Sequence, residues 1–236
     1  PIIEEFFKGL AVLGVLLVFY RQFDDVMDGI VYGSIVGFGF AAVENVLYFL
    51  SALDQSGAGS MLVVIFLRAF LFGLNHALFT SLTGIGLALA RTSRSWLLKA
   101  IWPCVGFGMA VAAHAIHNGG ATLASVSLCG LAVSAASDWI GVLVLFVIIL
   151  LATAQERKWI VKYLADEVTL GVITPQQYRV AGSYLARVAQ RAEALFSGRL
   201  GLFLRLGQFH QLMTRLAFRK YQLAAFGDEA VFGSAG

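Results

Sequence analysis

Apolar residues in this chain run in long unbroken blocks and do not alternate with polar ones. The blocks predict five membrane helices, over about Ile2–Tyr20, Asp28–Leu50, Ser60–Ala90, Trp96–Gly119 and Asp138–Thr153. A transmembrane barrel would show strict alternation, so helices remain as the way to satisfy every backbone group in lipid. The third block is longer than one crossing needs and is expected to tilt, kink or protrude. After residue 154 the pattern changes. Gln155–Leu170 is amphipathic and Gly171 breaks it. Thr174-Pro175-Gln176-Gln177 then reads as N-cap, N1, N2 and N3 of a helix over about Pro175–Phe196. A further helix is expected over about Leu202–Phe226, and Gly227–Gly236 is expected to fray. The fold class is therefore all-α: a polytopic bundle of about five transmembrane helices over residues 1–154, followed by a basic helical tail over 155–236.

Composition agrees with this. Only 13% of residues are charged, against about 25% in a soluble domain. The net charge of +3 hides an asymmetry: residues 1–154 carry 6 Lys/Arg and 8 Asp/Glu, whereas residues 155–236 carry 11 and 6. Basic residues flank alternate connections. Arg21 lies after the first helix; Arg91, Arg94 and Lys99 join the third and fourth; Arg157, Lys158 and Lys162 follow the fifth. These sides, including the tail, are assigned to the cytoplasm, and the start of the first helix to the outside. The lipid bilayer is the expected environment, and the basic face of the tail reads as solvated, with no nucleic-acid partner. His210 is expected at the surface of that tail, and Cys104 and Cys129, which lack CxxC spacing, in the core. Gly29, Gly33 and Gly37 recur every four residues, the spacing that lets helices pack closely. The chain opens on Pro1, so helices upstream of it are expected. The acids that follow argue against a cleavable signal.

Against this apolar background four polar clusters stand out: Glu4-Glu5-x-x-Lys8, Phe40-x-x-x-Glu44-Asn45, His76, and His114-x-x-x-Asn118. Charge in a bilayer is costly, so each cluster is a candidate site. Glu4 and Lys8 share a helix face and suit an ion pair, while Glu5 points about 100° away. Glu44 either pairs with Arg68 or serves the site. His114 and Asn118 share a face, with His117 adjacent in angle. A histidine there suits metal or water, and the amide an oxyanion. At the assigned orientation the clusters fall in the outer half of the membrane, with His76 deepest, near the middle of its helix. His-Glu-x-x-His, Gly-x-Ser-x-Gly and Gly-x-Gly-Asp are absent from the sequence.

The order of the clusters resembles that of the PrsW family of membrane-embedded proteases, relatives of the CAAX prenyl endopeptidase and bacteriocin-processing families. The match runs from Glu4-Glu5-Phe6-Phe7-Lys8 through Phe40-Ala41-Ala42-Val43-Glu44-Asn45 and His76-Ala77-Leu78-Phe79-Thr80 to His114-Ala115-Ile116-His117-Asn118. The resemblance implies a bacterial plasma-membrane endopeptidase cleaving a single-pass membrane substrate, such as an anti-sigma factor, on its outer side. Carried over by position, Glu4 is the water-activating base and Glu5 its neighbour. His76 and His114 hold water, metal or the scissile carbonyl, and Asn118 stabilises the oxyanion. Lys8, Phe40 and Asn45 support them. Glu44 stands where the prenyl-endopeptidase relatives have His, and with His76 and His114 it makes a donor set compatible with zinc. His117 departs from the aromatic residue common there. Metal-dependent and metal-free glutamate mechanisms both stay open. So do two readings outside catalysis, a receptor or scaffold and an ion transporter, and the sequence assigns no oligomeric state.

Overall fold

The computed structural model describes residues 1–20, 23 and 25–226. Arg21 and the terminal stretch Gly227–Gly236, both used above, lie outside the described residues. All regular structure described is helical: α1 Ile2–Val18, α2 Val26–Ile65, a π-helical turn Phe66–Leu71, α3 Asn75–Thr92, α4 Trp96–Leu123, α5 Leu128–Tyr163, α6 Ala165–Thr169, α7 Pro175–Ala181, α8 Tyr184–Phe196 and α9 Leu200–Phe226. The chain forms two compact units, residues 1–149 and 150–236. Among the described residues three helical stretches are long and apolar enough to cross a bilayer: Val26–Thr92, Trp96–Leu123 and Leu128–Tyr163.

In the first unit α2 starts on a capping box. The Asp25 carboxylate accepts from the Asp28 N–H at 3.1 Å, and the Asp25 N–H donates back to the Asp28 carboxylate at 3.2 Å. The connection expected at residues 51–59 narrows to Gly57, the one α2 residue with non-helical φ/ψ, at φ +78°. The chain doubles back there, because Arg68 reaches Asn45 and Glu44. The predicted helix over Ser60–Ala90 is interrupted. The Phe72 N–H bonds the Leu67 carbonyl five residues back, closing the π-turn, and α3 begins only at Asn75. A Cβ on Gly73 would lie 2.3 Å from the Ala69 carbonyl oxygen, so only glycine fits this break. His76 thus sits in the first turn of α3 and not in mid-helix as its position in the apolar block suggests.

α3 is the central helix. Its buried residues include Asn75, His76, Leu78, Phe79, Thr80 and Ser81. The glycine stripe of α2 lies directly on it. A Cβ on Gly29, Gly33 or Gly37 would meet backbone atoms of Gly84, Ser81 and Thr80, or His76 at 2.3–2.7 Å. On the other side a Cβ on Gly86 of α3 would lie 2.5 Å from the Trp102 carbonyl oxygen, and one on Gly106 of α4 2.5 Å from that of Leu82. α5 begins ten residues before the predicted start. Asp138, the predicted first residue, therefore lies inside the helix and is buried. Cys104 and Cys129 are exposed rather than in the core. In a membrane bundle an apolar helix is apolar all round because lipid solvates its outer face, so apolar neighbours do not signal a core position.

The second unit is built around Ile160, Leu164, Ile173, Ala181, Met213 and Ala217. The Thr174–Gln177 capping box forms as expected, with reciprocal bonds of 3.1 and 2.8 Å. The single helix expected over Pro175–Phe196 breaks at Gly182–Ser183 into α7 and α8, and the Ser183 hydroxyl caps the Ala186 N–H. Glu156, Arg187 and Thr214 form a hydrogen-bonded triad. His210 is buried, not at the surface. It falls on the same α9 face as Met213 and Ala217, which face the core. Neither ring nitrogen has a hydrogen-bond partner. Burial, with Arg187 and Arg191 nearby, holds its pKa below the ordinary value of about 6.5. The folded state therefore takes up this proton at lower pH than the unfolded state. The stability that a neutral His210 allows is complete above about pH 6.5 and is lost as pH falls through the folded value. Replacing His210 by Phe is expected to raise the melting temperature of this unit, by removing two unsatisfied atoms worth about 1–3 kcal/mol, and to flatten its acid sensitivity. Thermal unfolding of both proteins at about pH 7.5 and 5.5 checks this; parallel losses toward acid pH would contradict it.

Candidate functional site

α1, α2, α3 and α4 each bring one of the four sequence clusters to a common point. Glu5 and Lys8, on the first turns of α1, are 0% and 2% exposed. Their ion pair is short, Lys8 Nζ to Glu5 Oε1 at 2.7 Å. The same ammonium lies 3.1 Å from His76 Nδ1 and 4.0 Å above the Phe40 ring. Since an ammonium only donates, His76 Nδ1 is the acceptor and carries the lone pair. His76 Nε2 then bears the hydrogen and donates to Glu44 Oε2 at 2.9 Å. Glu44 also takes the Arg68 guanidinium at 2.6 Å, and Arg68 Nε donates to Asn45 Oδ1 at 2.7 Å and stacks on Tyr48. Glu44 thus pairs with the arginine and orients the site histidine at once.

His114 completes the group from α4. Its Nδ1 lies 2.9 Å from Glu5 Oε1 and its Nε2 is 3.6 Å from Glu4 Oε2. Phe79 stacks on the His114 ring, with centroids 4.9 Å apart, and its edge meets His76. Glu4 is the outer member: its side chain is 35% exposed, while its Oε2 is buried and has no hydrogen-bond partner. Although about 100° apart on α1, the two acids both approach His114, Glu5 from within and Glu4 from the rim.

Donor atoms of Glu5, His76 and His114 all lie within 4.8 Å of one another. Glu5, not Glu44, is the carboxylate in this group, because Glu44 lies at the far nitrogen of His76. The donors suit a metal. Two histidines and a carboxylate form an open set, Glu5 Oε2 is buried with no partner, and the Glu44 contact to His76 is the outer carboxylate such ligands commonly have. Lys8 Nζ takes the Glu5 Oε1 and His76 Nδ1 donors, so a metal ion at this point would have to displace the ammonium from them.

A cavity of about 180 Å³ opens beside His76. Its polar lining comprises Asn45, Arg68, Asn75, His76 and His117, and its apolar lining includes Ala41, Leu67 and Leu131. That volume suits one or two side chains and not a drug-sized ligand, since a cavity of about 150 Å³ takes a benzene ring. Asn118 is not at this point. It is exposed on α4, and its carbonyl accepts from the Thr122 hydroxyl. Asn75, Phe79, Ser134 and Asp138 are site neighbours that sequence reasoning passed over. Asp138, an acid near a long apolar run, carried the signal that singled out Glu44.

Comparison with known proteins adds to this geometry. Residues 1–154 match the family described as PrsW family intramembrane metalloprotease. A protein named Protease PrsW from Oceanobacillus iheyensis is 32% identical over 117 residues, 50% of this chain and 49% of the relative. Another Protease PrsW, from Geobacillus kaustophilus, is 34% identical over 90 residues, 38% of this chain and 36% of the relative. The chain thus spans half or less of the length of these relatives. No solved structure matches it.

Proposed function

We propose that this chain, which belongs to the PrsW family of intramembrane metalloproteases, is a membrane-embedded endopeptidase. Its substrate would be a single-pass membrane protein, such as an anti-sigma factor, cut near the outer face of a bacterial plasma membrane. The Lys/Arg asymmetry supports this sidedness, with the tail in the cytoplasm. The observation that carries the reading is the division of labour between the two acids. Glu5 is tied to Lys8 and His114, whereas Glu4, with its side chain 35% exposed, turns a buried and unpartnered oxygen to 3.6 Å from His114 Nε2.

Water held between Glu4 and His114 loses a proton to the Glu4 carboxylate as its oxygen attacks the scissile carbonyl carbon. The carbonyl π pair moves onto oxygen. When the tetrahedral species collapses, the C–N bond breaks and the proton on Glu4 passes to the departing nitrogen. Lys8 neutralises Glu5 throughout. Glu44 and Arg68 hold His76 in one tautomer, and Phe40 and Phe79 keep bulk water from the rings. A zinc ion held by Glu5, His76 and His114 would supply Lewis-acid polarisation of the carbonyl and a more acidic water.

Purified full-length protein in liposomes, offered a panel of single-pass substrates, tests the reading. Wild type is expected to cleave, and His114→Ala to lose at least about 100-fold in rate while remaining folded. Removal of activity by a chelator, and its return with zinc, would favour the metal form. Undiminished cleavage by His114→Ala would refute the site.

A further inference from the structure

Asn75 has a buried amide whose orientation is fixed by its bonds to His76 and His117. Its Oδ1 accepts the His76 backbone N–H at 2.6 Å, so the amide nitrogen is the atom that faces His117 Nε2 at 3.2 Å. His117 is held in turn. Its Nδ1 lies 2.7 Å from Asp138 Oδ2 and 3.1 Å from Ser134 Oγ. The Ser134 hydroxyl spends its single hydrogen on the His117 carbonyl at 2.8 Å, so it accepts at Nδ1, as the carboxylate does. The imidazole therefore carries its hydrogen on Nδ1 and presents a lone pair on Nε2. Asn75 gives that lone pair one of its two N–H groups. The other remains, and Asn75 lines the cavity beside His76.

We propose that this second N–H of Asn75 binds the scissile carbonyl oxygen and the oxyanion that develops on it. That is the role the sequence gives to Asn118, which is exposed and does not line the cavity. His117, Asp138 and Ser134 are its positioning residues. The inference rests on the hydrolytic reading above and deepens it. A serine or aspartate would cap the His76 N–H equally well, but neither can accept that bond and still donate two others; a carboxamide can. No covalent bond changes at Asn75: its N–H shortens its contact as negative charge grows on the substrate oxygen, and relaxes when the C–N bond breaks.

Two measurements test this on the full-length protein. In the cleavage assay Asn75→Ala and Asn75→Asp are expected to lower kcat by about 10²–10³-fold with little change in KM, and Asn118→Ala to cost less than about tenfold. Asp138→Asn is expected to act in the same direction as Asn75→Ala but more weakly, again in kcat. A loss confined to Asn118→Ala would overturn the assignment. The second measurement does not need turnover. Cysteine is placed at position 75 or 118 in a protein carrying Cys104→Ser, Cys129→Ser and Glu4→Gln, and its alkylation is timed with and without single-pass transmembrane peptides of varied outer flanking sequence. Protection at position 75 alone supports the proposal even if wild type cleaves none of the peptides, an outcome that would count against hydrolysis and not against Asn75. Failure of every peptide to protect position 75 overturns the proposal, whether or not wild type cleaves.

Discussion

Glu4→Gln is expected to leave the protein folded and to reduce kcat by about 10²–10⁴-fold, the usual worth of a positioned general base. Glu5→Gln is expected to cost stability as well as activity. The difference follows from what each carboxylate holds. Glu4 Oε2 has no hydrogen-bond partner; His114 Nε2 is 3.6 Å away and Lys8 Nζ 4.0 Å. Glutamine there keeps the shape and removes the base. Glu5 is fully buried and is the counter-ion of a lysine that is itself 2% exposed. Neutralising Glu5 strands that ammonium, a loss of about 3–5 kcal/mol when one partner of a buried pair is removed. Melting temperature and kcat measured on both variants separate the roles. If Glu4→Gln melts as low as Glu5→Gln, or cleaves as fast as wild type, Glu4 is not the base.

Gly37→Ala is expected to fail in both respects although it adds a single methyl group. The new Cβ would stand 2.3 Å from the His76 carbonyl oxygen, 2.7 Å from its carbon and 2.9 Å from Ala77 Cα. These are backbone atoms, so no side chain can rotate away, and the cost should lie at or above the upper end of the 1–3 kcal/mol usual for overpacking. Relief requires α2 and α3 to separate at His76. A displacement of about 1 Å there is enough to cost about 100-fold in rate. Gly39→Ala is the control, since nothing lies within 4 Å of its added atom. Melting temperatures and cleavage rates of the pair check the prediction, and equal behaviour would contradict it.

Much of this was legible in the sequence because a bilayer makes polar residues conspicuous. Glu5, Glu44, His76 and His114 were recoverable as costs that the fold must offset, and the glycine stripe as a spacing. What was not legible depended on where helices stop. The break at Phe72–Leu74 lies within an apolar block and is set by one glycine and a π-turn, neither of which interrupts hydrophobicity. It moves His76 to a helix start and turns Asn75 inward. Asp138 was hidden by its place at the predicted start of the fifth helix, and His210 by a tail whose polar composition says little about which face of α9 is covered. Asn118 lies outside the cluster, exposed on α4, for a related reason. Spacing of four puts it on the face of His114 only approximately, and the bundle closes nearer His117.

The glycine stripe between α2 and α3 also constrains how the molecule can move. Where main chain lies on main chain there is no intervening layer of rotamers to shear, so the two helices should travel as a single stiff lever carrying Phe40, Glu44 and His76 together. α4, which brings His114, is joined to α3 in the same way at Gly86 and Gly106, whereas Lys8 and Arg68 reach the cluster through long unbranched side chains, from α1 and from the segment beyond Gly57. Compliance is therefore concentrated in those two tethers, and Arg68, which lines the cavity, is the one whose extension would widen it while the stiff lever keeps its internal geometry.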